Sequence, residues 1–273
     1  MPAFTAPFTA PQFKSVYSEH QSPAALLTRL SPLLRLLSLA LLAFSFGNAH
    51  AADDLIYEPY STWNGKKVYL SPARHSDAGG RGECTGASGM GTLDENTAAY
   101  RFAYYATSGN YVGSAISTSN YRNLRRRGYQ VRIGRGTVSS AISNSNSWGA
   151  DVHIPIHSNA HVRDDCNNTS NSRFGTHVIY KSYGATGGEG LSGKIKDTIG
   201  PVSPGSNDLI CHNSSSCTSF DCLGELCNTS AKAAYLEREF HTWNGGAKWM
   251  ETDQYNTWRL GWAVDSFLGY PRR

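Results

Sequence analysis

Ala150-Asp151-Val152-His153-Ile154-Pro155-Ile156-His157-Ser158-Asn159-Ala160 runs through the middle of the chain. Its apolar part, 151–156, is short and stops at a histidine followed by two small polar residues. A run of about four to eight mostly apolar residues with polar ends reads as a buried strand. Similar runs lie on either side: 68–70, closed by Ser71-Pro72, then 129–133, 177–180 and 235–240. Helical segments separate them. Thr92-Leu93-Asp94-Glu95 reads as a capping box, Glu95 reaching back to the Thr92 amide, ahead of a helix over 98–106. A second helical piece is expected over 121–127, stopped by Gly128, and another over 191–199, while 139–148 is amphipathic without a decided type. Near the C-terminus Leu260, Val264, Phe267 and Leu268 recur at helical spacing. Strands separated by helices predict a single α/β domain, a mostly parallel twisted sheet with helices on both faces.

The 273 residues carry 25 Lys+Arg against 21 Asp+Glu, and 17% are charged. A formal charge of +4 is too small for binding nucleic acid through an electrostatic footprint, so no nucleic-acid partner is expected. With 40% hydrophobic residues the chain has material for a core and is too apolar for a disordered segment. Residues 33–46 read LLRLLSLALLAFSF, preceded by Arg29 and interrupted by Arg35, and Ala49-His50-Ala51 follows. A basic flank, a short apolar run and an A-x-A site make the pattern of a secretory signal peptide. Cleavage after Ala51 divides the chain into 1–51, removed on export, and 52–273, the mature domain. The uncharged stretch after Arg35 is about half of the ~20 residues a bilayer-spanning helix needs, so no stable membrane insertion is expected. Losing the leader removes three cations and one acid and lowers the charge to +2.

Export alters the chemistry of the six cysteines, Cys84, Cys166, Cys211, Cys217, Cys222 and Cys227, all of which lie in 52–273. An even number in an oxidising compartment reads as a set of disulfides whose pairing is open on sequence alone. A structural zinc site at Cys211, Cys217, Cys222 and Cys227 competes with this, but the spacing lacks the close cysteine pairs of such sites.

In parallel sheets ligands gather beyond the carboxyl ends of the strands. Arg74-His75-Ser76-Asp77 follows the first strand, His157-Ser158-Asn159 the third, and Glu237 and Glu239 lie within the fifth. Imidazoles and carboxylates arriving from different segments are what zinc takes in catalytic sites, which keep an open position for water. Glu95, where its helix begins, is a candidate third ligand. Each residue also has a structural reading: a loop hydrogen bond for His75, a cap for Glu95, a strand-end bond for His157, with His153 on the same face of that strand.

The 150–160 run resembles the AD…SIHAN segment of zinc-dependent N-acetylmuramoyl-L-alanine amidases of the amidase-3 type. Gly175-Thr176-His177-Val178-Ile179-Tyr180 is similar to that family's GTEVYY strand, and Leu236-Glu237-Arg238-Glu239-Phe240 to its VExGF strand. Upstream, His75 with Gly79-Gly80 stands where the family has GHGG, and Glu95 where its second ligand opens a helix. The ordered matches extend from Val68 to the C-terminus. This resemblance implies zinc held by His75, Glu95 and His157, with Glu237 as the catalytic carboxylate and Glu239 its rival on the same strand. His153, Asn159 and His241 would support the ligands or touch substrate. The implied reaction cleaves the amide between N-acetylmuramic acid and L-alanine in bacterial peptidoglycan, performed by a secreted, monomeric protein at the cell wall. Two residues depart from the pattern: Arg74 replaces a small residue before the first histidine, and Glu239 stands where the family often has Gly. Two other readings share the same residues, a secreted zinc peptidase acting on stem peptides and a catalytically silent wall-binding module.

The loops carrying Cys84 and Cys166 each follow a strand that supplies a proposed ligand, so the two cysteines are expected to be joined, leaving the other four to pair within 211–227. Peptide mapping without reduction should recover the Cys84–Cys166 link, and a peptide joining Cys84 to Cys217 would refute it.

Overall fold

The computed structural model describes residues 54–73, 94–109, 111–112, 115–116, 122–161, 169–181, 188–212, 223–252 and 256–271. In chain order the elements are β1 (Leu55–Tyr57), β2 (Lys67–Pro72), α1 (Glu95–Ser108), β3 (Tyr111–Val112), β4 (Ala115–Ile116), β5 (Gln130–Ile133), α2 (Val138–Trp148), β6 (Val152–Asn159) and β7 (His177–Tyr180). They continue with α3 (Glu189–Ile199), β8 (Leu209–His212), α4 (Gly224–Cys227), β9 (Lys232–Phe240), α5 (Asn244–Thr252) and α6 (Arg259–Leu268). Apart from the small β3–β4 pair, the strands form one seven-stranded sheet in the order β1-β5-β2-β6-β9-β7-β8.

The sheet is mostly parallel, as the alternation of strands and helices predicts: β5–β2, β2–β6, β6–β9 and β7–β8 are parallel pairs. Edge strand β1 and the β9–β7 step are antiparallel. The central strand β6 is buried from Val152 through Ser158 because both of its faces are covered. On one face Val152, Ile154 and Ile156 join Leu70 and Leu236 in a core with Phe102 of α1, Leu191 and Ile195 of α3, and Leu260 and Val264 of α6. On the other, Ile179, Ala233 and Tyr235 pack with Leu226 of α4, and α2 lies against α4. Each such aliphatic side chain contributes about 1.5–3 kcal/mol on burial. Pro155 has no N–H to give, and the β6–β9 ladder passes from His153↔Ala233 directly to Ile156↔Leu236.

Three sequence expectations change. The cap of α1 is Asp94, whose side chain accepts the Asn96 and Thr97 amides, so Glu95 is the first helical residue and not the third, as a capping box requires, and its Oε1 accepts the Ser158 amide. Asp94 sits nearer the first helical turn and takes the role by its own short side chain. Of the 121–127 piece the described residues, 122–127, form bends and turns and no helix: the Leu124 amide bonds Ala106 O near the end of α1, and Gly128, at φ 89°, turns the chain into β5. The amphipathic 139–148 stretch is helical, capped by Thr137, whose hydroxyl accepts the Ser140 amide. Short β1 and β8 and the glycine-led start of α5 carry too little periodicity to be read locally. Residues 1–51, His75, Cys84, Cys166, Cys217 and Cys222 lie outside the described residues. Among those described, no helix is long and apolar enough to cross a membrane.

A buried ion pair ties the last helix to the start of β5. Arg127 donates to Asp265 Oδ2, and the Tyr129 hydroxyl donates to Asp265 Oδ1 at 2.7 Å. Burial pushes the Arg127 proton affinity down, and Asp265 opposes that shift. Replacing Asp265 with Ala leaves a guanidinium buried without its counter-charge, so the variant should lose about 3–5 kcal/mol in urea unfolding. A loss below ~1 kcal/mol would show that solvent or another group compensates the arginine.

Candidate active site

The parallel pairing of β6 with β9 sets His157 opposite Glu237, and the antiparallel pairing of β9 with β7 sets His177 opposite the same Glu237. Directly paired residues face the same side of a sheet with Cβ atoms about 5 Å apart. His157, Glu237 and His177 therefore form a row across three strands. Glu95 reaches this row from the N-terminus of α1. Its Oε1 accepts the Ser158 amide at 2.7 Å and lies 3.4 Å from His157 Nδ1. The β6–β9 register shifts between His157 and Asn159, and here the Ser158 N–H goes to Glu95. Tyr235, two residues before Glu237, stacks on the His157 ring with centroids 4.6 Å apart. Bulges of this kind re-aim side chains next to functional sites.

The two glutamates that sequence places on one strand face occupy different surroundings. Glu239 is wholly buried and its carboxylate is committed: it accepts from the Ser203 hydroxyl, from Gly205 N at 3.1 Å and from Phe240 N at 3.0 Å. Burial raises its proton affinity, and the hydrogen bonds lower it. Gly205 can come this close because it has no side chain; a Cβ there would meet the Phe174 carbonyl carbon at 2.2 Å. Glu237 has no such set, and its Oε2 is buried with no hydrogen-bond partner among the described residues. Burial pushes the Glu237 carboxyl well above its ordinary value, and the Glu95 carboxylate adds to the shift. The register shift beyond Glu237 breaks the two-residue period that would have kept the pair equivalent.

The remaining named residues divide between the row and its supports. Asn159 Nδ2 faces His177 Nδ1 at 3.3 Å. His241 donates its backbone N–H to Asn159 O at 2.9 Å, and its Nδ1 lies 3.0 Å from Ser158 Oγ. His153 is fully buried one turn of pleats away, stacked on Tyr69 and 3.2 Å from Glu225 Oε1 of α4. Four residues along a strand separate it from His157 by about 13 Å, so it sits beneath the site and not in it. Cys227 is disulfide-bonded. His177 entered the sequence reading only as the start of a strand; the signal available was that it stands at the Glu of the GTEVYY pattern.

Among the described residues no three His, Cys, Asp or Glu side chains gather as a metal site; the third proposed ligand, His75, lies outside them. What is described fits a divalent cation. A buried carboxylate and a buried imidazole approach each other, and the raised proton affinity of Glu237, due first to burial, is increased further by the Glu95 charge. A cation held by Glu95 and His157 would offset that repulsion.

No protein-family model matches the sequence, and no curated protein matches it. Solved structures do. Cwp6 from Clostridium difficile aligns at TM-score 0.54 and 18% identity over 74% of this chain, which spans 29% of that protein. The catalytic domain of CwlV, an N-acetylmuramoyl-L-alanine amidase from Bacillus (Paenibacillus) polymyxa var. colistinus, aligns at 0.53 and 12% identity, covering 76% of this chain and 99% of that one. The N-acetylmuramoyl-L-alanine amidase AmiC2 of Nostoc punctiforme aligns at 0.53 and 14%, again covering 76% and 99%. The chain has the fold of N-acetylmuramoyl-L-alanine amidase catalytic domains.

Because the folded-state proton affinity of Glu237 is raised, its contribution to stability is present below the ordinary value of 4.5 and is lost as pH rises through the folded-state value. In metal-free protein Glu237→Gln should therefore melt higher than wild type at pH 7, with the difference closing below pH ~4.5. Thermal melts across that range check it, and a variant that melts lower than wild type at pH 7 contradicts it.

Proposed function

We propose that the protein is a secreted zinc hydrolase that cleaves the amide between N-acetylmuramic acid and L-alanine in bacterial peptidoglycan. The observation that carries this reading is the convergence of Glu95, His157 and Glu237 at the carboxyl ends of β6 and β9, where sheets of this kind gather their ligands. The fold shared with amidase catalytic domains supports it, as do the apolar leader at 33–46 and the disulfide-bonded Cys227.

His75, Glu95 and His157 would hold the zinc, which when bound polarises a carbonyl and makes water a stronger acid. The protein's own groups do the rest. Ser158 N–H fixes one oxygen of Glu95, leaving the carboxylate directed at His157. Tyr235 holds the His157 ring flat against it. Glu237 keeps a buried oxygen uncommitted among the described residues, suited to taking the proton of the attacking water and passing it to the departing alanine nitrogen, since an amine leaves only when protonated. Glu239, bound by Ser203 and Gly205, anchors a turn. The same carboxylate pair does not suit a glycosidase, because the two acids have separate environments and do not flank a common space.

Digestion of purified cell wall should release stem peptides with a new L-alanine amino terminus and no new reducing sugar ends. Glu237→Gln should lower kcat by about 10²- to 10⁴-fold with zinc retained, and Glu239→Gln much less in protein that remains folded. His157→Ala should lose zinc and activity together. Reducing ends released by the wild-type protein would reject the amide reading, cleavage between stem residues would make it a peptidase, and full activity of His157→Ala would remove the metal.

A further inference from the structure

We propose that Tyr60, Trp63, Arg125 and Arg126 form a second contact for peptidoglycan, a docking surface for its sugar rings and stem carboxylates at the end of the sheet opposite the candidate site. The inference rests on the peptidoglycan reading above and adds to it how the protein is held on a polymeric substrate.

Two segments build the surface. Residues 58–66 link β1 to β2, and 125–128 lead towards β5. Hydrogen bonds fasten them together: the Tyr60 amide donates to Arg125 O and the Asn64 amide to Gly128 O, both at 3.0 Å. Ser61 Oγ donates to Arg126 O at 3.1 Å, and Asn64 Nδ2 to Arg127 O at 3.2 Å. Gly128 permits the close approach, since a Cβ there would meet Thr62 O at 2.6 Å.

On this frame aromatic rings are held in solvent. Tyr60 is 45% exposed and Trp63 53%. Trp63 Nε1 donates to Lys66 O at 3.3 Å, which fixes the indole without covering it. Arg125 donates from Nε to Glu58 O at 2.6 Å and from Nη1 to the Tyr60 hydroxyl at 2.8 Å, and its guanidinium lies 3.7 Å from the Tyr60 ring centroid. The exposed Arg126 stands 5.0 Å from the same ring. The neighbouring acid, Glu58, turns its carboxylate to Gln130 Nε2 at 2.7 Å. Among the described residues no carboxylate lies at ion-pair distance from Arg125 or Arg126.

A single exposed ring needs no explanation. Two rings and two guanidiniums, positioned before any partner arrives, are the residue types that dominate binding surfaces, and groups already in place lose little freedom on binding. The chemistry selects the occupant. Aromatic faces take the apolar faces of sugar rings, and a guanidinium takes a carboxylate in paired hydrogen bonds. Peptidoglycan presents both on one polymer, whereas nucleic acid, with rings and phosphates, is disfavoured by the small net charge of the chain.

Position supplies the function. The two segments stand at the amino ends of β2 and β5, which run parallel to β6. The six residues of β2 separate that end from the level of His157 by about 20 Å along the strands. A wall polymer can engage both ends of the sheet, while a single muropeptide occupies only the catalytic one. Docking would raise the effective concentration of scissile amides at the site without a separate wall-binding domain.

The test compares mature wild-type protein with Trp63→Ala, Arg126→Glu and the double variant, all altered at exposed side chains. Co-sedimentation with purified peptidoglycan sacculi, stripped of attached polymers, should be weakened about 5- to 30-fold by Trp63→Ala and by a similar factor by Arg126→Glu. Added salt should weaken wild-type binding more than that of Arg126→Glu. Cleavage of a soluble N-acetylmuramoyl tripeptide and the melting temperature should stay unchanged, while digestion of dilute sacculi slows. A double variant that binds stripped sacculi within twofold of wild type would overturn the docking surface and leave the amidase reading intact. Wild-type binding confined to sacculi that retain phosphate polymers would overturn it as well, as would a wild-type dimer that the double variant dissociates. Patch-dependent binding of stripped sacculi by a protein that cleaves no amide would support the surface and reject the amidase reading alone.

Discussion

The parallel pairing of β6 with β9 is the contact from which the site is built. His157 and Glu237 are register partners in it, and in a sheet a slip of one residue sends every side chain to the opposite face. That slip is prevented by burial on both sides: Ile154 and Ile156 face the α1, α3 and α6 core, while Tyr235 and Ala233 face α4. Two interruptions shape the pairing. Pro155 removes one donor, and the register shift after His157 sends the Ser158 amide to Glu95. The helix that brings Glu95 is itself started by Asp94, which takes the capping work and leaves the Glu95 carboxylate available to the sheet edge.

Buried polar groups on this side of the sheet fall into two kinds. Beneath the candidate site the Tyr69 hydroxyl, Arg132 and Asn144 all donate to Asp54, and His153 Nε2 pairs with Glu225, while His153 Nδ1 has no hydrogen-bond partner among the described residues. Such a network holds the strands rigid because each partner would be costly to leave alone. At the candidate site itself, Glu237 Oε2 is buried without a hydrogen-bond partner among the described residues. Glu239 differs: its carboxylate is filled by Ser203, Gly205 and Phe240 and fastens the fold.

Three members of the candidate site could be picked out in the sequence because they stand at or near ends of elements. His157 closes an apolar run, Glu95 opens a helix and Glu237 lies in a strand of matching character, and the structure brings these three together. His177 was not legible, since nothing local marks a histidine at the start of a strand as the neighbour of a glutamate sixty residues later in the chain. His153 looked equivalent to His157 by strand period, yet Glu225 and Tyr69 cover it.

Periodicity and end signals, which are properties of neighbouring residues, determined the α/β class, the mostly parallel sheet and the positions of β2, β5, β6, β7, β9, α3 and α6. Only the tertiary structure decided the strand order, the antiparallel turn of β7 against β9, the choice of Asp94 over Thr92 as cap, and the different fates of Glu237 and Glu239. These depend on pairing between segments far apart in the chain, where a hydrogen bond given at one position, such as Ser158 to Glu95, is withdrawn from another. A single stretch of sequence contains the donors and acceptors but not the register that matches them.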